Sequence, residues 1–159
     1  MKKVLLVLVL VAVAFPGYGQ TSWSTCNDQL IAGVYGFTVQ GTKLGGLGPV
    51  GQQLGVAMTE FDGFGGLVQI DTITVGGVKT SDFTHPQAKG TYTVNPDCTG
   101  TFTINFTDGR PTIVTNFVVV ENGNEIDTVV ISAGGKEGIV AVFSIGKRRD
   151  RAVHFSLPE

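Results

Sequence analysis

Cysteine and histidine are scarce in this chain, with two of each among 159 residues. No CxxC pair and no Cys/His spacing of the zinc-binding kind is present, so neither a metal nor a cofactor is expected. Long apolar runs are missing too. The longest, Val4–Phe15, has a dozen residues, whereas a helix crossing ~30 Å of hydrocarbon takes about 20. Charge is sparse at 15%, and long charged helix formers are few. No set of side chains forms a catalytic constellation, and no residue is assigned a catalytic role.

What stands at the N-terminus is Met1-Lys2-Lys3, the apolar run, then Pro16-Gly17-Tyr18-Gly19-Gln20. A short positive region, an apolar segment and small residues at Gly17 and Gly19 predict a secretory signal peptide over residues 1–19. Its removal takes Lys2 and Lys3 from the 11 basic residues, leaving 9 against 13 acidic ones, a net charge of −4. That balance argues against nucleic acid or an anionic membrane as partner, and the mature chain has no expected membrane span. The expected location is therefore secreted, either extracellular or periplasmic. In that oxidising setting Cys26 and Cys98 are expected to pair, tying residues 20–32 to the domain that follows.

Glycine is abundant at 23 residues, and Val, Thr and Ile recur, an all-β composition. The clearest stretch is Ala88–Phe106. Tyr92 and Val94 alternate with Thr91 and Thr93, and Phe102, Ile104 and Phe106 alternate with Thr101, Thr103 and Asn105. This period of two marks two strands sharing one buried face. Between them, Asn95-Pro96-Asp97-Cys98-Thr99-Gly100 reads as a turn, with Gly100 expected at positive φ and the cysteine on the tip.

Other strands are expected at Gly33–Gln40, Leu54–Asp62, Gly66–Val75, Thr112–Val120, Glu125–Ser132 and Gly138–Ile145. Val78–Thr84 and Ala152–Leu157 are weaker candidates. A short turn of helix capped by Asn27 or Asp28 precedes them, and Asn122-Gly123 signals a tight hairpin. Within Gly66–Val75 the apolar parity shifts, so a bulge is expected near Asp71-Thr72. The count is about eight strands joined by tight turns. It predicts an eight-stranded antiparallel up-and-down β-barrel over 33–147, followed by a basic tail at 148–159, with a two-sheet sandwich as the alternative.

The segments Gly33-Val34-Tyr35-Gly36-Phe37, Phe61-Asp62-Gly63-Phe64-Gly65 and Gly90–Thr101 (GTYTVNPDCTGT) resemble a set of uncharacterised secreted bacterial proteins of the acidobacterial type. The likeness implies a shared barrel and export, and the architecture is similar to the lipocalin and allene-oxide-cyclase type of barrel.

Several motifs read better as structure than as chemistry. Gly46-Leu47-Gly48-Pro49-Val50-Gly51 spells GxGxxG, but Pro49 and a following strand deny it the helix N-terminus a dinucleotide needs, so a barrel-mouth loop is expected. Asp82 and His85 near Ser81 lack a triad's other marks, and the expectation is a solvated loop. Glu121, Asn122, Asn124, Glu125 and Asp127 lack the pattern of a calcium loop. Asn105-Phe106-Thr107 fits a glycosylation sequon inside a strand. Lys147–Arg151 reads as a solvated charge run.

The aromatics Tyr35, Phe37, Tyr92, Phe102, Phe106, Phe117 and Phe143 are expected inside, filling the barrel or lining a cavity for a small apolar or amphipathic ligand. Non-catalytic ligand binding is the leading function, a surface or matrix interaction protein the second, and a cavity-using isomerase or cyclase the third. Two strands are apolar on both faces, so one Val-rich row, Val114, Val118 and Val120 with Val140 and Val142, is expected outside as a homo-oligomer contact.

Overall fold

The computed structural model describes residues 25–84 and 88–149. The signal-peptide segment, Trp23, His85, His154 and the Ala152–Leu157 strand candidate lie outside the described residues. Nine strands are present: β1 (Gly33–Lys43), β2 (Gly51–Phe61), β3 (Gly66–Val75), β4 (Val78–Ser81), β5 (Ala88–Val94), β6 (Thr99–Asn105), β7 (Ile113–Val120), β8 (Glu125–Ala133) and β9 (Val140–Arg148). Eight of them close a ring in which each strand pairs with its chain neighbours and β9 returns to β1. The short β4 pairs only with the C-terminal end of β3. The protein is thus an eight-stranded antiparallel closed β-barrel, and full closure leaves no bare edge around the ring.

Two cross-strand pairs each set an aromatic ring against a glycine. Phe37 on β1 stands opposite Gly146 on β9, and Phe117 on β7 stands opposite Gly100 on β6. A methyl group on either glycine would lie 2.3 or 2.2 Å from the facing ring. Each ring therefore lies across a bare backbone, where only glycine leaves room for it. Gly100 serves this packing and is not the turn residue the sequence predicts. At the hairpin tip Cys98 itself takes the left-handed conformation, at φ 67°.

The expected bulge near Asp71-Thr72 does not occur. β3 pairs with β2 without interruption from Leu67 to Val75, and the register shift falls against β4, between Ile73 and Thr74. Leu67, Ile73 and Val75 point inward and are buried, and so is Asp71. The apolar parity shift reflects a carboxylate on the inner face, with Val68 and Ile70 outside.

The closing strand also corrects the outward row. On β9, Val142 is buried and Val140 half-buried, while Ala141, Phe143 and Ile145 face solvent. The pairing with β1 decides this: the opposite parity would place Gly146 away from Phe37 and turn Lys147 into the barrel. Phe143, expected inside, is consequently on the outer face at 47% exposure. On β7 the expected parity holds, with Phe117 and Val119 in, Val118 exposed, and Val114 and Val120 half-buried on the outer side.

Candidate functional site

One end of the barrel is sealed by the N-terminal segment. A one-turn 3-10 helix, Asp28–Ile31, is capped by Asn27, whose side chain accepts the Leu30 amide at 3.1 Å. The Cys26–Cys98 disulfide, with Cα atoms 5.0 Å apart, ties this turn to the β5–β6 hairpin. Asp28 strengthens the join. Its carboxylate accepts the Val94 amide at 2.7 Å, and its carbonyl accepts the Tyr92 hydroxyl at 3.2 Å.

Arg148 completes the seal. Its guanidinium donates to the carbonyls of Leu30, Ala32 and Gly123 at 2.6, 2.5 and 3.0 Å, and it lies over the Tyr35 ring at 5.0 Å from the centroid. The Tyr35 hydroxyl also donates to Gly123. Gly123 sits in a left-handed run with Glu121 and Asn122, and any side chain there would collide with the Leu30 carbonyl. Arg148 belongs to a charge run that reads as solvated, but its guanidinium satisfies three carbonyls at the barrel end. Arg148 shares the inward parity of β9 with Val142 and Gly146, a parity that only the pairing with β1 fixes.

Above the seal lies an aromatic floor. Phe61 meets Tyr35 edge-on at 5.6 Å and Tyr92 edge-on at 5.0 Å; Phe102 follows at 6.2 Å, then Phe117, stacked on Phe102 at 5.6 Å. Phe37 adjoins Tyr35. Such edge-to-face and offset contacts suit the ring quadrupole. Burial pushes the Tyr35 hydroxyl up to about 12 against the opposing pull of Arg148; burial also raises that of Tyr92, with the Gly63 and Gly65 backbone bonds working against it. Of the seven aromatics expected inside, Tyr35, Phe37, Tyr92, Phe102 and Phe117 are buried here, Phe106 is partly buried, and Phe143 is outside.

Toward the other end the inner face becomes polar. Asp71, 5% exposed, accepts the Ser81 hydroxyl at 2.5 Å and the Gln69 amide at 3.3 Å. Arg110 Nη1 lies 2.9 and 3.0 Å from its two oxygens. Thr59 donates to Gln69 at 2.9 Å. Arg110 Nε reaches Asp108 at 2.8 Å, and the guanidinium stacks 3.9 Å above Phe106. Arg110 Nη2 makes no hydrogen bond to a described residue.

This cluster is not a nucleophilic site. Ser81 is 1% exposed, and its hydroxyl is spent on Asp71 while its oxygen accepts the Ile73 amide at 3.0 Å. Asp82 faces Lys79 and Thr84 instead. The Gly46–Gly51 segment joins antiparallel β1 and β2 and opens no helix. Sequence reading passed over Asp71 and Arg110, which lie 39 positions apart; the broken apolar alternation at Asp71 was the available signal. Compared with known protein families, curated proteins and solved structures, the chain matches none.

Proposed function

We propose that this is an exported, non-catalytic barrel that takes a small amphipathic ligand into the half away from the disulfide. The observation carrying the reading is a difference between the two ends. At the sealed end the inward side chains Tyr35, Phe61 and Ile126 are no more than 1% exposed. Farther up, the inward-facing Val39, Val130 and Ser144 are only half-buried. Solvent thus reaches the inner face at these positions of β1, β8 and β9, while Val142 and Thr115 nearby stay buried, and a ligand's apolar part would replace it there. Arg110 Nη2 offers a donor to a carbonyl or carboxylate at the same end. Export rests on the leader-like N-terminus and on a disulfide that persists only in an oxidising compartment.

Native mass spectrometry of protein purified from its own host tests this. A bound mass that is released on unfolding is expected; only the bare chain, across several growth conditions, would overturn it. A second reading, association through the outer face, is favoured by the exposed row of Val129, Phe143 and Ile145 on β8 and β9. Sedimentation at micromolar concentration tests it, with Phe143→Lys expected to dissociate any oligomer.

A further inference from the structure

The end of the barrel away from the disulfide holds four apolar side chains out in solvent. Leu44, Leu47 and Val50 stand on the β1–β2 loop at 59, 97 and 55% exposure, and Val78 stands beside the β3–β4 turn at 55%. The fold gathers them on one rim. Lys43 pairs with Gly51 across β1 and β2, so Leu44 and Val50 leave the barrel side by side. A methyl group on Gly51 would lie 3.4 Å from Gly76, and the Gly76 amide donates to the Gln52 carbonyl at 2.8 Å. These contacts set the β3–β4 turn against the same loop. On the loops of the sealed end, Phe64 is the one comparably exposed large apolar side chain among the described residues.

A single exposed leucine is ordinary, but four apolar side chains on one rim mark a contact surface. Its shape and charge favour a bilayer over a protein. The tips project singly, with Gly45, Gly46 and Gly48 between them, and offer no continuous face for a protein to fit. Lipid moulds itself to such projections. The loop's backbone is also provided for: the Leu44 and Gly45 amides donate to the Ile139 carbonyl at 2.8 and 3.2 Å, and Lys43 Nζ donates to the Leu47 carbonyl. Those groups keep their partners when the tip enters an apolar layer. Charge on the rim is nearly balanced. Lys79 pairs with Asp82 at 2.8 Å, Arg110 with Asp108 and Asp71, and Lys136 adjoins Glu137. Such a rim suits a zwitterionic headgroup layer, where apolar burial and not charge supplies the attraction.

We infer that this rim docks on a zwitterionic lipid surface, with Leu44, Leu47, Val50 and Val78 entering the boundary between headgroups and acyl chains. The Gly46–Gly51 segment, which opens no helix for a nucleotide, is the docking loop. The half of the barrel away from the disulfide then faces the layer in which amphipathic molecules dissolve. Docking rests on the exposure and topology of the rim and does not depend on the interior site proposed above.

The test is flotation of the full mature chain with phosphatidylcholine vesicles at millimolar lipid. Protein should float with the vesicles, and raising salt to about 1 M, where the Debye length is ~3 Å, should leave the bound fraction unchanged. Leu47→Asp should weaken partition at least about tenfold, because it removes a leucine's burial and adds a charge that lipid rejects. Phe64→Asp, at the sealed end, should float as the wild type does. Both side chains are exposed, at 97 and 82%, so the barrel should fold in each variant, and circular dichroism checks this. Absence of flotation, flotation abolished by salt, undiminished flotation of Leu47→Asp, or an equal loss for Phe64→Asp would each overturn the inference. Self-association that Leu47→Asp disrupts, without vesicle binding, would assign the rim to a second copy of the chain instead.

Discussion

Asp71 and Arg110 meet across the inner face of the barrel, one nitrogen of the guanidinium 2.9 and 3.0 Å from the two carboxylate oxygens. The pair joins β3 to the loop between β6 and β7, and Ser81 and Gln69 complete the shell of the carboxylate. Removing the cation leaves a buried charge. Breaking such a pair costs about 3–5 kcal/mol, and the 23% exposure of the Arg110 side chain brings the expectation for Arg110→Met to about 2–4 kcal/mol. Urea denaturation measures it. Asp71→Leu with Arg110→Met should recover only part of the loss: the buried Asp71 charge is then gone, but Asp108 still lacks the guanidinium that it faces at 2.8 Å.

Tyr35 makes stability depend on alkaline pH. Its folded pKa of about 12 stands above the ordinary value of 10, so the folded state holds the proton more tightly. The contribution is complete below pH 10 and is lost as pH rises from 10 through 12. A shift of this size corresponds to about 2–3 kcal/mol. Thermal midpoints between pH 9 and 12 should fall, and less steeply for Tyr35→Phe. The slope will not vanish, since the Tyr92 hydroxyl is raised as well.

The disulfide spans 72 residues and anchors the turn that closes the barrel end. Replacing Cys26 and Cys98 together by Ala should lower stability by about 2–4 kcal/mol while the barrel itself still forms. Circular dichroism would show retained strand signal. Two reactive thiols per chain in the unreduced, denatured protein would contradict the bond.

Phe102 and Thr101 are adjacent in β6 but lie on opposite faces. Phe102 touches Phe61 and Phe117 in the core, whereas Thr101 is exposed. Phe102→Ala should cost about 3–5 kcal/mol, and Thr101→Ala less than about 0.5 kcal/mol. Similar costs at the two positions would mean that the strand is turned over.

Arg148→Lys is expected to fail as a conservative change. A lysine ammonium cannot reproduce the planar fork that reaches Leu30, Ala32 and Gly123 together. At least one of these carbonyls loses its donor, at about 1–3 kcal/mol. Amide exchange should accelerate first in Asn27–Ala32, ahead of the strands.

The strands, the hairpin centred on Cys98 and the pairing of the two cysteines were all legible in the chain. They depend on local properties: alternation, turn residues, and the lack of any other thiol partner. Alternation also placed Tyr92, Val94, Phe102 and Ile104 on one buried face, because residues two apart in a strand share a side wherever the strand lies. It could not say which side of β9 faces in, since Val140 and Val142 are as apolar as Phe143 and Ile145. Only closure against β1 decided that, when Phe37 required the bare Gly146 opposite. The same limit hid the inward roles of Asp71, Arg110 and Arg148. Each is a polar residue whose burial depends on a partner far along the chain, and only tertiary contact brings that partner within hydrogen-bond reach.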